Sequence, residues 1–387
     1  MASAPSLQQM LRELIAEPSV SSVNPAIDMD NRGVIDLLAT WAEDLGFAVD
    51  IRPIPGQPGK ANLVATLGRG DGGLVLSGHT DTVPYDEQGW TSDPFTLTER
   101  EGRLYGLGTS DMKSFLALAL EASRDLDPAR LREPLVLLAT ADEESGMEGA
   151  KALAADGRPV GRHAIIGEPT GLRPVRMHKG VMMEAVRLVG RSGHSSNPAL
   201  GINALDGMST VLDTLKTWRA ELARRYSDAR FEVAVPTMNL GCIHGGDNPN
   251  RICAETELQF DLRPLPGMSN EALREELRDR LQEALRGFPG QVEFRSLFPG
   301  QPAVETAEQA EIVTAARSLT GQQAGAVAFG TEAPWLSQLG MDVIVLGPGD
   351  IEQAHQRDEF LALDRLQPTV ELLGRFIDRF CLADAPP

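Results

Sequence analysis

The sequence predicts an α/β catalytic domain, with a mainly parallel sheet and helices on both faces, and a smaller α+β domain inserted into it. Helix-like and strand-like segments alternate in the N-terminal third, and four short apolar runs are of the kind that parallel sheets bury. The expected boundaries are 1–179 and 299–387 for the catalytic domain and 180–298 for the insertion. A chain of 387 residues is long enough for one large domain and one smaller one.

The N-terminal elements follow from the spacing of apolar residues. Leu7–Ile15 has its apolar residues on one helical face, and Pro18 ends that helix. The same spacing recurs over Val34–Leu45 and is closed by Gly46. The residues 47–51 then predict a short strand.

Four apolar runs predict the strands of the central sheet. Each run is too short for a helix and consists of residues that suit a strand buried on both faces. The runs are Leu74–Leu76, Leu135–Leu138, Ala164–Ile166 and Val343–Leu346. A polar cluster with histidine or carboxylate side chains follows each run. Because ligands bind beyond the carboxyl ends of the strands in open α/β sheets, these clusters are expected to meet at one edge.

The stretch 180–298 has a different order of elements. Strands are predicted at 181–189, 231–241, 252–262 and 292–297, with helices at 202–226 and around a four-residue row of leucines that starts at Leu273. The resulting order, βαββαβ, is typical of a ferredoxin-like unit. The leucine row predicts core packing within that unit.

Five residues are candidate metal ligands. Four of them belong to the polar clusters that follow the predicted strands, and the fifth lies in a glycine-rich turn. They offer two imidazoles, three carboxylates and no thiolate: His79, Asp111, Glu144, Glu168 and His355. Such donors suit zinc, cobalt or manganese, and the imidazoles argue against calcium and magnesium. One bridging carboxylate can hold two cations about 3.5–4 Å apart. Asp111 is the candidate bridge, and it lies in a glycine-rich turn that opens a helix near Lys113.

Each of these motifs also has an ordinary explanation. His79-Thr80-Asp81 alone is more often a surface turn, and Asp142-Glu143-Glu144 alone is more often a solvated acidic turn. Their joint occurrence after four strands of one sheet favours a shared site. The glycine-rich turn is not a phosphate-binding loop, since it lacks the Gly-Lys-Ser/Thr ending that such a loop requires.

The motifs resemble those of the zinc aminoacylase and carboxypeptidase superfamily. The stretches that carry the resemblance are Ser77–Pro84, Gly106–Lys113, Asp142–Glu144 and Gly167–Thr170. The resemblance extends from the first helix to the C-terminus. It implies two divalent cations, zinc with cobalt as a substitute, one held by His79, Asp111 and Glu168 and the other by Asp111, Glu144 and His355.

The resemblance also implies roles in catalysis. Glu143 would be the general base that takes a proton from the attacking water and passes it to the leaving amine. Asp81 would orient the imidazole of His79. His194 would reach the active site from the partner subunit and stabilise the oxyanion of the reaction intermediate. The homodimer would form through the inserted lid and dimerisation domain. A capping or core histidine is the alternative for His194.

Further stretches narrow the resemblance to deacylases of N-acyl amino acids. These stretches are His178–Gly180, Asn239–Gly241, Ile243–Asp247, Asn250–Ala254, Asp261–Met268, Thr331–Pro334 and Leu346–Gly349. They favour N-acetylornithine as the substrate and arginine biosynthesis as the pathway. Arg251, with Lys179 second, is the candidate for the substrate carboxylate, and Glu332 is the candidate for the substrate ammonium. Surface salt bridges explain these three charged residues equally well.

Composition excludes several other classes of protein. The net charge of −19 disfavours nucleic acid and anionic membranes as partners. No apolar run approaches the length of a membrane span, and the N-terminus lacks a secretory pattern, so a cytoplasmic location is expected. The three cysteines have no metal-binding spacing and their odd number argues against a disulfide framework.

Other functions remain open within this fold. The substrate could be acetylcitrulline, another N-acyl amino acid or a succinylated diamino acid. A non-catalytic binding protein of the same fold would have a degraded ligand set, whereas all five candidate ligands and Glu143 are present.

Overall fold

A computed structural model describes residues 4–382 of the chain. Within that range the α-helices are, in chain order, α1 (Leu7–Ala16), α2 (Arg32–Asp44), α3 (Lys113–Ser123), α4 (Glu148–Asp156), α5 (Ala204–Arg225), α6 (Asn270–Ala284), α7 (Glu311–Thr320), α8 (Ala333–Gln338) and α9 (Leu366–Cys381). The strands are β1 (Ala48–Pro53), β2 (Ala61–Leu67), β3 (Leu74–His79), β4 (Thr98–Arg100), β5 (Arg103–Tyr105), β6 (Leu135–Thr140), β7 (His163–Pro169), β8 (Val175–His178), β9 (Met182–Val189), β10 (Thr237–Gly245), β11 (Glu255–Arg263), β12 (Gln291–Ser296), β13 (Val304–Glu305), β14 (Gly325–Val327), β15 (Asp342–Gly347) and β16 (Phe360–Ala362).

The described residues form two compact units. The first comprises the described residues up to Arg176, the segment Thr306–Gly325 and the described residues from Thr331 onward. The second comprises Met177–Glu305 and Ala326–Gly330. It is wider than the inserted domain 180–298 that the sequence predicts. Main-chain pairing explains the wider limits, since Val304 pairs with His178 and the Lys179 amide donates to the Val327 carbonyl at 3.3 Å.

The four apolar runs form the parallel centre of the sheet in the first unit. The order of strands there is β1-β2-β6-β3-β7-β15. The four strands β6, β3, β7 and β15 run parallel to one another. The outer pairs β1–β2 and β2–β6 are antiparallel. The prediction of an α/β fold with a mainly parallel sheet is confirmed, and the antiparallel strands lie at its margins.

Both faces of the parallel strands are buried. Leu74 and Leu76 of β3 enter a core that also contains Phe115 of α3 and Phe376 of α9. Val75 lies between them, points to the opposite face and is also fully buried. Burial on both faces explains why these strands appear in the sequence as continuous apolar runs.

The second unit has a ferredoxin-like arrangement. Its sheet has the order β10-β11-β9-β12 with every neighbouring pair antiparallel. The helix α5 packs on this sheet and contacts α6. The leucine row of α6 is buried in the core of this unit together with Trp218 of α5. The predicted strand at 231–241 is wrong at its start, because β10 begins at Thr237 and Phe231 instead packs with Met177 and Leu265.

Two features of composition can be checked against this fold. Among the residues that the structure describes, no helix combines the length and apolar character needed to cross a bilayer. Cys242, Cys253 and Cys381 are free thiols in the structure.

Candidate metal centre

The carboxyl ends of the parallel strands carry the candidate ligands. His79 is the last residue of β3, Glu168 lies near the end of β7, and the turn that holds Glu144 follows β6. His355 lies beyond β15, in a loop where it adopts a positive φ of 59°. Residues other than glycine adopt this conformation rarely, and it is frequent at functional sites.

Asp111 lies between the two candidate histidines. Its Oδ1 is 3.0 Å from Nε2 of His79, and its Oδ2 is 3.8 Å from Nε2 of His355. The remaining contacts close the cluster, since Glu168 Oε1 is 4.0 Å from His79 Nε2 and Glu144 Oε2 is 2.9 Å from His355 Nε2. All five residues that the sequence predicts as ligands therefore meet in the first unit.

A glycine-rich turn presents Asp111 to the cluster. Gly106 has a φ of 156° and Gly108 a φ of 87°, which glycine adopts without strain. A Cβ on Gly108 would lie 3.1 Å from Cγ2 of Thr82, so a side chain there would also crowd the turn. The turn leads directly into α3.

Two triads of donor atoms in the cluster are close enough to share an ion. His79, Glu143 and Glu168 form one triad, and His79, Asp111 and Glu144 form the other. Within each triad the donor atoms lie within 4.8 Å of one another. Glu143 is thus close enough to be a ligand itself, which is an alternative to the role of general base.

The donor set fits divalent cations. Oε1 of Glu144 and Oε1 of Glu168 are buried without a hydrogen-bond partner among the described residues, and a cation would satisfy both. The ring Nδ1 of His79 is 3.0 Å from the carbonyl oxygen of Asp81. If Nδ1–H donates to that carbonyl, Nε2 keeps its lone pair and faces the carboxylates, as a metal ligand requires.

The electrostatics of the cluster lead to the same conclusion. Burial raises the pKa of Glu144 and raises that of Glu168 well above its usual range, and the charge of Asp111 adds to both effects. Burial lowers the pKa of His79, but the hydrogen bond to Asp111 and the charge of Glu168 outweigh it and raise this pKa well above its usual value. The hydrogen bond to Glu144 raises the pKa of His355 to about 9. Positive charge therefore stabilises this cluster of carboxylates, and protons compete with divalent cations to provide it.

Asp81 connects the loop after β3 to the acidic turn after β6. Its Oδ1 accepts from the Glu143 amide at 3.2 Å and its Oδ2 from the Glu144 amide at 3.0 Å. The sequence predicts that this carboxylate orients His79, and its Oδ1 lies 3.7 Å from Nδ1 of that histidine. The short hydrogen bonds of the carboxylate go to the main chain of the acidic turn, so its direct effect is to hold the turn that carries Glu143 and Glu144.

Glu143 lies in a setting that suits a base. Burial raises its pKa well above the usual range, and the charge of Glu168 raises it further. Asp142, the residue before it, has a positive φ of 59° and forms a buried ion pair with Lys60 at 2.6 Å. Lys60 directly precedes the apolar strand β2 and is not among the site residues predicted from the sequence.

Glu332 lies in the first unit and is 1% exposed. Its Oε2 accepts from Oγ1 of Thr140 at 2.8 Å, whereas its Oε1 has no hydrogen-bond partner in the described part of the chain. Burial raises the pKa of Glu332 to about 7. One oxygen of this carboxyl is therefore free to accept a donor such as an ammonium group.

The other predicted site residues lie in the second unit. His194 and Arg251 are neighbours there, since their main chains form a β-bridge and both side chains are exposed. Arg251 Nη1 donates to Asp247 Oδ2 at 2.6 Å, in a pair that is more than half exposed. The predicted oxyanion donor and the predicted carboxylate-binding residue thus share one surface.

Lys179 has a different environment from that of Arg251. It is 1% exposed, and its Nζ donates to the carbonyls of Val233 at 2.8 Å and Val235 at 2.7 Å. These bonds hold the segment that precedes β10. They favour a structural role for Lys179 over the predicted contact with a substrate carboxylate.

His178 gives the second unit a sensitivity to acid. It is fully buried, and burial lowers its pKa to about 4 from the ordinary 6.5. Between pH 6.5 and 4 the unfolded chain gains a proton that the folded chain does not, so stability falls as the pH drops through this window. At about 1.36 kcal/mol per pKa unit, the loss is about 3 kcal/mol.

Urea unfolding at pH 7.5 and pH 5 tests this expectation. His178→Gln cannot titrate, so its stability should fall less between the two pH values than that of the wild type. His244→Gln, at an exposed histidine of the same unit, is the matched control and should behave like the wild type. Equal losses in wild type and His178→Gln would show that this histidine does not set the acid sensitivity.

Comparison with known proteins identifies the class. Peptidase family M20/M25/M40 matches residues 75–379. Acetylornithine deacetylase of Proteus mirabilis is 48% identical over 380 residues, which are 98% of each chain. The chain therefore belongs to Peptidase family M20/M25/M40 and is a hydrolase of amide bonds.

Solved structures share the fold over almost the whole chain. An M20 family metallo-carboxypeptidase from Sulfolobus solfataricus superposes with a TM-score of 0.77 at 20% identity, covering 96% of this chain and 98% of the other. The YXEP protein of Bacillus subtilis, described as a dinuclear metal-binding peptidase of this family, gives a TM-score of 0.67 at 17% identity and covers 96% of both chains.

Proposed function

We propose that the chain is a two-metal deacetylase that hydrolyses N2-acetyl-L-ornithine to L-ornithine and acetate, a step of arginine biosynthesis. The position of Asp111, with one carboxylate oxygen towards each histidine, carries the proposal of a two-metal reaction. The relative from Proteus mirabilis, an acetylornithine deacetylase, supports the choice of substrate.

The proposed ligand sets share Asp111. His79, Asp111 and Glu168 hold one cation, and Asp111, Glu144 and His355 hold the other. The nitrogen and oxygen donors favour zinc, with cobalt as a substitute. When bound, the cations act as Lewis acids and lower the pKa of a water molecule towards neutrality.

The remaining steps belong to the side chains of the chain itself. Glu143 accepts a proton from the attacking water and returns it to the nitrogen of the leaving amine, so its carboxyl alternates between base and acid. Asp81 keeps this carboxyl in place through the main-chain hydrogen bonds of the acidic turn. His194, contributed by the partner subunit of a homodimer, donates a hydrogen bond to the oxyanion.

The charged groups of the substrate need partners of opposite charge. Arg251 is the proposed partner of the carboxylate, because it is exposed and its guanidinium can form two parallel hydrogen bonds. Glu332 is the proposed partner of the ornithine ammonium, because one of its oxygens is free. We place the enzyme in the cytoplasm, a reducing compartment in which free thiols such as those of its three cysteines persist.

Release of acetate from N-acetylornithine by protein reconstituted with zinc or cobalt tests the proposed function. Acetylcitrulline, succinyl-diaminopimelate and a neutral N-acetyl amino acid are assayed in parallel. We expect the highest kcat/KM for N-acetylornithine. A higher value for one of the other amides would reassign the substrate within the same reaction, and no hydrolysis of any amide by metal-loaded protein would contradict the proposal.

The role of Arg251 leads to a separate prediction. Arg251→Ala removes a charge-assisted hydrogen bond of about 1.5–3 kcal/mol, so KM for N-acetylornithine should rise about 10- to 100-fold with a smaller change in kcat. Arg295→Ala is the control, because Arg295 is also an exposed arginine of the second unit paired with a glutamate. Initial rates over a range of substrate concentrations give both constants. An unchanged KM in Arg251→Ala would remove this residue from the substrate site.

A further inference from the structure

Glu359 is a buried carboxylate next to the metal centre that the proposed reaction does not use. It is 1% exposed and lies directly before β16, four residues after His355. Its Oε1 accepts from the amides of Ser110 at 2.6 Å and Asp111 at 3.0 Å, and its Oε2 accepts from the amide of Gly108 at 3.1 Å. One side chain thus accepts three main-chain hydrogen bonds from the turn that presents Asp111.

These hydrogen bonds are needed because the turn has few other acceptors. The positive φ values of Gly106 and Gly108 take this stretch out of regular structure, so its amides cannot all pair with neighbouring main chain. Glu359 also fixes the start of the turn, since its own carbonyl accepts from the Gly106 amide at 3.1 Å. The direction in which Asp111 points therefore depends on Glu359.

Glu359 is at the same time tied to the second histidine. The segment from His355 to Glu359 is short, and it is continued by the pairing of Phe360 with Tyr105 at the entrance to the turn. Glu359 is thus linked to both residues of the contact between Asp111 Oδ2 and His355 Nε2, which are 3.8 Å apart. Asp111 has further support on its other side, where its Oδ1 contacts His79, the buried last residue of β3.

We propose that Glu359 is a positioning residue that sets the distance between Asp111 and His355, and thereby the affinity of the cation held by Asp111, Glu144 and His355. This inference rests on the two-metal proposal. The cation held by His79, Asp111 and Glu168 depends less on Glu359, because two of its ligands come from β3 and β7.

Glu359→Gln is the most discriminating variant. Glutamine has the same size, but its single carbonyl oxygen cannot replace both carboxylate oxygens, and its NH2 group would face a main-chain donor. Glu359→Asp keeps the carboxylate on a shorter side chain and should have an intermediate effect. Glu352→Gln makes the same chemical change at an exposed position of the same loop and is the matched control.

The metal-free proteins are titrated with Co²⁺. Calorimetry and the visible absorption of the bound ion monitor the binding. We expect two equivalents in wild type and in Glu352→Gln. In Glu359→Gln the first equivalent should bind with an affinity close to wild type and the second at least about tenfold more weakly. Circular dichroism and thermal melting establish that each variant is folded.

Three outcomes would overturn the inference. Two equivalents with wild-type affinities in Glu359→Gln would show that Glu359 does not influence the site. Equal weakening of both equivalents would show a general structural role, and a Glu359→Asp protein with intact second-site affinity beside an unfolded Glu359→Gln would show a role in folding only. Wild-type protein that binds no Co²⁺ would contradict the two-metal proposal itself, and this result is distinct from the other three.

Discussion

Glu143→Gln is expected to lower kcat for N-acetylornithine by about 100- to 10,000-fold while leaving two cations bound. Glutamine keeps the size of the side chain but cannot accept the proton of the attacking water. The surroundings of Glu143 support the role of base, since burial raises its pKa well above the usual range. Steady-state kinetics and metal analysis on the same preparation provide the two measurements.

Glu144→Ala is the matched variant, because it changes the neighbouring carboxylate of the same turn. It removes a contact with His355 at 2.9 Å and a buried oxygen that has no hydrogen-bond partner among the described residues. We expect this variant to retain about one cation, in contrast to Glu143→Gln. Glu143 also forms a close triad with His79 and Glu168, so loss of metal from Glu143→Gln would reassign it as a ligand.

The parallel centre of the fold could be predicted because its cause is local in the sequence. A strand buried on both faces is apolar at most positions, and the runs within β3, β6, β7 and β15 are continuous apolar segments of that kind. Parallel strands direct their carboxyl ends to one edge, so the meeting of His79, Glu144 and Glu168 follows from the same pattern.

The remaining features depend on contacts between distant parts of the chain. The hydrogen bond from Ser110 to Glu359 joins residues 249 positions apart, and the Lys60–Asp142 pair spans 82. For the first, the only local sign is that Glu359, next to a second acidic residue, Asp358, directly precedes a strand. The sequence predicts a strand that starts at Phe231, but this residue packs against Met177 and Leu265 before the strand begins.

The polar network around Lys60 has the largest expected effect on stability. Nζ of Lys60 donates to Asp142 at 2.6 Å and to Asp28 at 2.8 Å, and the Ser21 hydroxyl donates to the same oxygen of Asp142 at 2.9 Å. The side chains of Lys60 and Asp142 are only 7% and 4% exposed. Through these hydrogen bonds the loop after α1, which carries Ser21 and Asp28, and the loop after β1, which carries Lys60, are connected to the acidic turn that carries Glu143.

Lys60→Met should therefore lower the free energy of unfolding of the first unit by about 3–5 kcal/mol, because it leaves a buried carboxylate without its cation. Urea unfolding followed by circular dichroism measures the change. Arg32→Met is the control, since Arg32 pairs with Asp36 at 2.7 Å but both side chains are at least half exposed. This exposed pair should contribute less than about 1 kcal/mol.

The same variant distinguishes stabilisation from positioning. In folded Lys60→Met protein, Asp142, whose φ is positive, loses its ion-pair partner, and the next residue in the chain is Glu143. We expect kcat to fall at temperatures well below the unfolding transition, and Lys60→Arg, which restores the charge, to recover part of it. Wild-type kcat in folded Lys60→Met would mean that Asp81, through its hydrogen bonds to the Glu143 and Glu144 amides, is sufficient to hold the turn.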